Sequence, residues 1–276
     1  MLAGSLIPAE IDNLVLFLAL GSAAAVIFSM AKAGFGGSSG MLAVPMMIFA
    51  CDGNVALATG IMLPVLIAAD YVAVISWLGK WRWRAVWMLL PGTVLGVAAG
   101  WAAIHFLGRL DAGGGKALAN AWLQLGVGLI ALGFVALQAV RAVRGRPLVF
   151  RPVFWQGSCA GSAAGFSSTI AHAAGPIITM YMLPQQMPKG QYVATTALFF
   201  FIANQVKLVP YFAEGMINAS TLGAGVVLLP GIAAGAVVGV FLHKRVRQEQ
   251  FTGIVHVLLA VAGAGLCYQA IPTLLS

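Results

Sequence analysis

Four ionisable side chains stand out in this apolar sequence: Asp70 and Lys207 within apolar segments, and Lys32 and His172 at two breaks in the apolar pattern. Ionisable groups within an apolar segment of bilayer length are costly and rare, so each is a candidate for substrate binding or proton transfer. Lys32 opens the stretch KAGFGGSSG, and an ammonium group beside free backbone N–H groups can form an anion site. The imidazole of His172 could donate a hydrogen bond to an anion or exchange a proton near neutral pH.

Each of these residues also has a structural interpretation. Lys32 and Lys207 are near segment ends, where a long basic side chain can extend to the membrane surface. His172 equally fits a hydrogen-bonded core histidine, and Asp70 a structural partner of a lysine. The functional alternative for Asp70 is a counter-ion to Lys32 in an empty site, or a proton carrier. Asn204 precedes Lys207 by three residues, so their shared helical face is expected to look inward.

Two breaks rich in glycine and small residues, 32–40 and 167–175, interrupt the apolar pattern. Glycine weakens a helix and exposes backbone that lipid cannot satisfy, so such a break must lie inside protein or beside a water-filled cavity. The sequence therefore predicts a binding region made from both breaks and the segment after them. Its predicted substrate-binding residues are Lys32, Gly34, Gly36, Gly37, Ser38, Ser39, Ser167, Ser168, Thr169, His172, Gly175, Asn204 and Lys207, with Asp70 as counter-ion or proton-coupling group.

The elements that must position these residues are membrane helices. The chain has 276 residues, of which 61% are hydrophobic and only 8% charged, and its mean hydropathy is +0.97. A soluble domain carries about 25% charged residues, so the composition predicts an all-α integral membrane protein. The net charge of +8 follows from basic residues at segment ends, which is a topology signal and does not indicate nucleic acid.

About ten apolar segments can be drawn along the chain. Two of them, 38–50 and 174–184, are too short to cross about 30 Å of hydrocarbon and are expected to be broken or re-entrant helices. The predicted segments are 12–31, 38–50, 56–79, 85–108, 117–143, 152–170, 174–184, 190–213, 219–243 and 250–274.

Basic loops orient these segments, because cytoplasmic loops are enriched in lysine and arginine. Placing the three strongly basic loops in the cytoplasm satisfies the rule throughout and puts both termini in the periplasm. Each short segment then forms, with the segment before it, a pair that starts and ends on one side of the membrane. The basic residues are Lys80, Arg82 and Arg84; Arg141, Arg144, Arg146 and Arg151; and Lys244, Arg245 and Arg247.

The two halves of the chain resemble each other. LLPGTVLGVAAGW at 89–101 is similar to LLPGIAAGAVVGV at 228–240, with their prolines 139 residues apart. ALATGIM at 56–62 is similar to YVATTAL at 192–198, which lies 136 residues later. Gly40 and Gly175 occupy matching places in the two breaks. The steady spacing predicts an internal duplication.

Each repeat contains an even-crossing pair and three further crossings, so the second copy is predicted to be inverted relative to the first. Inverted repeats are typical of secondary transporters, whose substrate lies near the midplane where interrupted segments of the two halves meet. The chain is thus predicted to be a single transmembrane transporter domain over 1–276, with repeats of about 12–143 and 148–274.

The same segments resemble the sulfite exporter TauE/SafE family of membrane permeases. The resemblance is carried by AGFGGSSGMLAVP, AGFSSTIAHAAGPIIT and VATTALFFFIANQVKLVPY, together with the paired LLPG motifs, and it covers about residues 12–274. It implies transport of small sulfur-containing anions, such as sulfite, thiosulfate or organosulfonates, across the bacterial inner membrane. Many members have a glycine triplet where this chain has serines in the first break, so the particular anion stays open.

The leading functional prediction is therefore a secondary transporter, with export favoured, whose partners are a small sulfur anion and the lipid bilayer. An anion channel of the same architecture is the alternative, and an intramembrane enzyme is a third reading that no catalytic motif supports. No cofactor, metal or nucleic acid is expected, and a homo-oligomer stays open. Turnover that saturates at low substrate, with counterflow of labelled anion, would distinguish a transporter from a channel.

Overall fold

The computed structural model of the protein describes residues 7–34, 38–110, 116–144, 153–243 and 248–275, and their regular structure is helical. A short 3-10 turn, Ser38–Leu42, joins the first two helices, and a second, Leu183–Gln185, follows the seventh. The helices are α1 Leu14–Gly34, α2 Ala43–Ala50, α3 Val55–Ser76, α4 Trp83–Leu110, α5 Lys116–Arg144, α6 Phe154–Ala171, α7 Gly175–Met182, α8 Lys189–Ala213, α9 Ala219–His243 and α10 Gln248–Leu275.

Seven helices in the described part of the chain are long and apolar enough to cross a membrane: α1, α3, α4, α5, α8, α9 and α10. Helix α6 has 18 residues but is rich in glycine and serine, and α2 and α7 have only eight residues each. The prediction of an all-α, multi-pass membrane protein is confirmed. The basic residues after Arg144 and after His243 lie outside the described residues.

The two short helices are the centres of the apolar core. Helix α2 contributes Val44, Met47 and Ile48 to a cluster that also draws on α1, α3, α5, α9 and α10. Helix α7 contributes Ile178 and Met182 to a second cluster with α4, α6 and α8. Enclosure by longer helices explains how segments too short to span the bilayer are accommodated, because their end groups face protein.

The long helices pack in two pairs through rows of glycine. Helix α4 approaches α6 at Gly92, Gly96 and Gly100, and α9 approaches α1 at Gly231, Gly235 and Gly239. At Gly96 a Cβ atom would overlap the Ser162 carbonyl oxygen, and at Gly235 it would overlap the Val26 carbonyl oxygen. Small residues at spacing four thus let helix backbones touch, as is common in membrane interfaces.

Two other helix pairs run antiparallel. In the α3–α8 pair, Gly60 near the start of α3 lies against Met216, which follows the end of α8. Further along α3, the Tyr71 ring packs edge-on against the Phe201 ring of α8, with ring centroids 4.9 Å apart. Along α5 and α10, Gly128 lies against Cys267, and Phe134 meets His256. The α3–α8 pair runs through the middle of the bundle and carries most of the buried polar side chains described next.

We predict that Gly96→Ala destabilises the protein by about 1–3 kcal/mol, because the added methyl group has no room against α6. Gly126→Ala is the matched control: it also lies in a helix, but nothing lies within 4 Å of its would-be Cβ. Thermal melting of both variants in detergent tests the prediction. Equal melting temperatures for the two variants would contradict the close α4–α6 packing.

Candidate functional site

A buried ion pair links the end of α1 to the middle of α3. The Lys32 ammonium, in the last turn of α1, donates to Asp70 Oδ1, and the Asp70 side chain is fully buried. Asn204 of α8 donates from Nδ2 to the other carboxylate oxygen at 2.5 Å. The rings of Phe28 and Phe200 flank the ammonium, with centroids 5.1 and 5.6 Å from Nζ. Lys32 therefore points inward and does not extend to the membrane surface.

A second lysine is buried one helical turn from Asn204. Lys207 Nζ donates to the Ser168 hydroxyl at 2.9 Å, to the Ser168 carbonyl at 3.2 Å and to His172 Nδ1 at 2.8 Å. Its side chain has no exposed surface. The ammonium lies at the C-terminal end of α6, where a cation interacts favourably with the helix dipole. The hydroxyl and the carbonyl of Ser168 carry no charge, and neither does His172 when its ring is neutral.

His172 ends α6 in the left-handed conformation, with φ of 48°. Its backbone N–H bonds back to the Ser168 carbonyl and so closes the helix. The turn directs the ring toward α3, where Nε2 lies 3.0 Å from the Thr59 carbonyl oxygen. Because Nδ1 accepts from the Lys207 ammonium, Nε2 must carry the proton and donate to Thr59, which fixes His172 as neutral.

These groups surround a small central cavity between the two halves. Its volume is about 30 Å³, which is room for one or two water molecules. Gly40 of the 3-10 turn and Gly175, the first residue of α7, both line it, so backbone atoms face the same space as the lysines. The lining is Phe28, Lys32, Gly40, Met41, Leu66, Ser168, His172, Gly175, Phe200, Asn204 and Lys207.

A larger apolar cavity of about 600 Å³ adjoins the central one, with Lys32 and Phe200 in both walls. It extends to Ser76 and Trp77 at the C-terminal end of α3, next to the basic segment that begins at Lys80. Its other walls are mostly alanine and valine from α3, α8 and α9.

Near the opposite, N-terminal end of α3, hydrogen bonds between neighbouring helices close the space above the central cavity. Tyr211 donates to the Thr169 carbonyl at 2.7 Å, and Glu214 accepts from Trp101 Nε1 at 2.7 Å. Glu214 also lies 3.0 Å from His105 Nδ1. An acidic cavity of about 590 Å³ lies beyond this layer and is lined in part by Glu10, Asp52 and Glu214. The central cavity thus lies between an apolar and an acidic cavity at opposite ends of α3.

The structure brings six of the predicted substrate-binding residues to the central cavity, and Asp70 joins them through Lys32. The six are Lys32, Ser168, His172, Gly175, Asn204 and Lys207. Ser167 and Thr169 instead bond to carbonyls of their own helix, so their hydroxyls are used within α6. Gly34 ends α1 and Ser38 and Ser39 belong to the 3-10 turn, while Gly36 and Gly37 lie outside the described residues.

Sequence reasoning missed four contributors to this region: Phe28, Thr59, Phe200 and Tyr211. Phe28 lies one turn before Lys32, a spacing that places both on one face of α1. Phe200 likewise lies one turn before Asn204, so both positions could have been found from helical spacing. Thr59 acts through its backbone carbonyl, and its side chain bonds within α3. No sequence pattern signals that contribution.

A multi-pass helical membrane protein with polar and charged groups gathered at two helix breaks is a membrane transporter by architecture. The family model described as "Sulfite exporter TauE/SafE" matches residues 17–266. The chain therefore belongs to the sulfite exporter TauE/SafE family. It is also 25% identical, over 192 residues, to the "Probable inner membrane transporter protein TsaS" of Comamonas testosteroni, covering 67% of this chain and 72% of that protein. No solved structure gave a significant match.

We predict that Asp70→Asn destabilises the protein by about 3–5 kcal/mol, because it leaves Lys32 without an anionic partner in a buried site. The double variant Lys32→Met with Asp70→Asn is expected to recover most of that loss, since both charges are removed together. Melting temperatures in anion-free detergent solution would test this pair. Strictly additive losses in the double variant would show that the two side chains are not coupled.

Proposed function

We propose that the protein is a secondary transporter that exports a small sulfur oxyanion, bound in the central cavity between the two helix breaks. The observation that carries the proposal is the charge balance of that cavity. Lys32 is neutralised by Asp70, whereas Lys207 bonds to the neutral Ser168 and His172. A buried charge without a counter-charge is costly, and an anion beside Lys207 would remove that cost.

The surrounding donors suit an oxyanion. Lys207 and Lys32 supply ammonium groups, Asn204 supplies an amide, and backbone near Gly40 and Gly175 faces the same space. Sulfonate and sulfite groups present several oxygen acceptors around one sulfur, so donors converging from four elements can bind them together. The cavity must widen to admit such a group, and separation of Lys32 from Asp70 is the movement that would provide both room and a second donor.

Inverted repeats are part of the proposal, and the helix packing supports them. The repeat-related helices α3 and α8 run antiparallel, as do α5 and α10, which inversion requires. Packing of α4 on α6 is matched by packing of α9 on α1. The glycines at those contacts correspond one to one with a spacing of 139 residues: Gly92 with Gly231, Gly96 with Gly235, and Gly100 with Gly239.

The proposed alternating-access cycle is based on the difference between the two ends of α3, one next to an open cavity and the other closed by hydrogen bonds. The apolar cavity reaches from Lys32 toward Lys80 and Arg82, which the positive-inside rule assigns to the cytoplasm. At the other end, the hydrogen bonds of Tyr211 and Glu214 close the route. This arrangement corresponds to an inward-facing state that loads anion from the cytoplasm. An inside-negative potential favours outward movement of an anion by about 2.3 kcal/mol per charge per 100 mV, so export needs no coupling ion.

We predict that Lys207→Met abolishes efflux of sulfite from proteoliposomes and removes the rise in melting temperature that the anion causes in the wild type. Lys32→Ala is expected to abolish efflux as well. Lys80→Met is the matched control, because it removes an exposed loop lysine and should leave both measurements unchanged. Wild-type efflux from Lys207→Met would refute the proposed site, and loss of counterflow with persistent flux would indicate a channel.

We predict that Ala69→Cys, in the wall of the apolar cavity, reacts with a membrane-impermeant thiol reagent applied from the cytoplasmic side only. Ala117→Cys, beside the acidic cavity, should react only from the periplasmic side. The measurement compares labelling in inside-out and right-side-out vesicles. Labelling of Ala69→Cys from the periplasm alone would reverse the proposed orientation.

The native cysteines set the background for this labelling. Cys51 is buried, and burial, with the adjacent Asp52, raises its pKa to about 12, so it stays an unreactive thiol. Cys159 and Cys267 are at least partly exposed and would be replaced by serine in all samples.

A further inference from the structure

The ionisable groups at the central cavity define how much negative charge it can bind. The ammonium groups of Lys32 and Lys207 and the carboxylate of Asp70 leave one net positive charge. His172 adds none, because its Nδ1 accepts from Lys207 and its Nε2 faces the Thr59 carbonyl. A second positive charge on the ring would require His172 to give up its bond from Lys207.

No other described ionisable group contributes at this depth of the bundle. Helix α2, which packs against α3, carries none, and those of α5 and α9 are at the helix ends. Glu10, Asp52 and Glu214 line the acidic cavity near the N-terminal end of α3, and none of them lines the central cavity. The charge that a substrate meets in the central cavity is therefore decided by Lys32, Asp70 and Lys207.

We infer that the site selects a singly charged sulfur oxyanion, such as a sulfonate or hydrogensulfite, over a dianion, and that Asp70 is the specificity-determining residue. This inference rests on the proposed function. A monoanion brings the charge of the occupied site to zero, whereas a dianion leaves one uncompensated negative charge away from water. Asp70 achieves this by offsetting the charge of one lysine, so that the two lysines and Asp70 together present one net positive charge to the substrate.

The Asp70 carboxylate is held in place, and it competes with the substrate anion for the ammonium group of Lys32. One carboxylate oxygen accepts from Lys32, and Asn204 holds the other at 2.5 Å. The carboxylate thus keeps a partner on α8 even when an incoming anion draws Lys32 away. Lys207 bonds to Ser168 and His172, neither of which is a carboxylate, and we assign it the first contact with the anion.

Methanesulfonate and sulfate are the probes that test charge selection. Both are compact, with oxygens around one sulfur, but methanesulfonate carries one negative charge and sulfate carries two. The melting temperature of the purified full-length protein is measured at increasing concentrations of each anion. These shifts give the affinity for each anion and so the ratio of the two affinities. The wild type is expected to bind methanesulfonate more tightly than sulfate by on the order of tenfold or more, because one unpaired charge at the site is costly.

Two variants change the site charge in a defined way. Asp70→Asn raises it by one and is expected to reverse the preference toward sulfate. The double variant Lys32→Met with Asp70→Asn restores the wild-type charge and is expected to restore the preference for methanesulfonate. A merely structural role for Asp70 predicts instead that Asp70→Asn weakens binding of both anions and leaves their affinity ratio unchanged. Lys80→Met serves as the control for loss of a lysine outside the site.

The outcomes separate this inference from the proposed function. If neither anion nor sulfite stabilises the wild type, the proposed anion site itself fails. If sulfate binds the wild type as tightly as methanesulfonate, or if Asp70→Asn leaves the ratio unchanged, charge selection is overturned while the anion site stands. Should Asp70→Asn not fold, the wild-type ratio and the double variant decide the question, because a preference for sulfate in either one overturns the inference.

Discussion

Two ammonium groups are buried in the middle of a helical bundle that lipid surrounds, and the rest of the central structure depends on how they are compensated. Lys32 has a carboxylate partner in Asp70, and Lys207 has the C-terminal end of α6 and the ring of His172. The carboxylate compensates Lys32 directly, whereas Lys207 interacts with the carbonyl end and the negative dipole of a helix that ends inside the protein, at Ala171.

Each half of the chain contributes one buried lysine, but the lysine lies on a different kind of helix in each half. In the first half the lysine is on the interrupted helix, α1, and its partner Asp70 is on α3. In the second half the lysine is on α8, and its partner Ser168 is on the interrupted helix, α6. Asp70 pairs with Lys32, whereas Lys207 bonds to Ser168 and His172, so the described lysines and Asp70 leave one net positive charge. A symmetric arrangement, with a carboxylate opposite each lysine, would leave no charge for an anion to balance.

Close helix packing gives these side chains fixed positions. The glycine rows of α4 and α9 bring backbones into contact, and α2 and α7 are enclosed by longer helices. Such packing leaves few polar atoms facing lipid, so the polar side chains collect along α3 and α8. Lys32 and Phe200 line both the central cavity and the apolar cavity, so these two side chains lie where the two spaces adjoin.

The sequence by itself determined the membrane class, the helical content, the two breaks and the residues with unusual charge, because hydropathy and glycine content act locally along the chain. Helical spacing also predicted that Asn204 and Lys207 share a face. Only the tertiary structure decided the pairings: Lys32 with Asp70, and Lys207 with Ser168 and His172. These pairs join residues at least 35 positions apart, and a backbone acceptor such as Thr59 leaves no mark in the sequence. The net charge of the site is a property of those pairings, so it could not be read from composition.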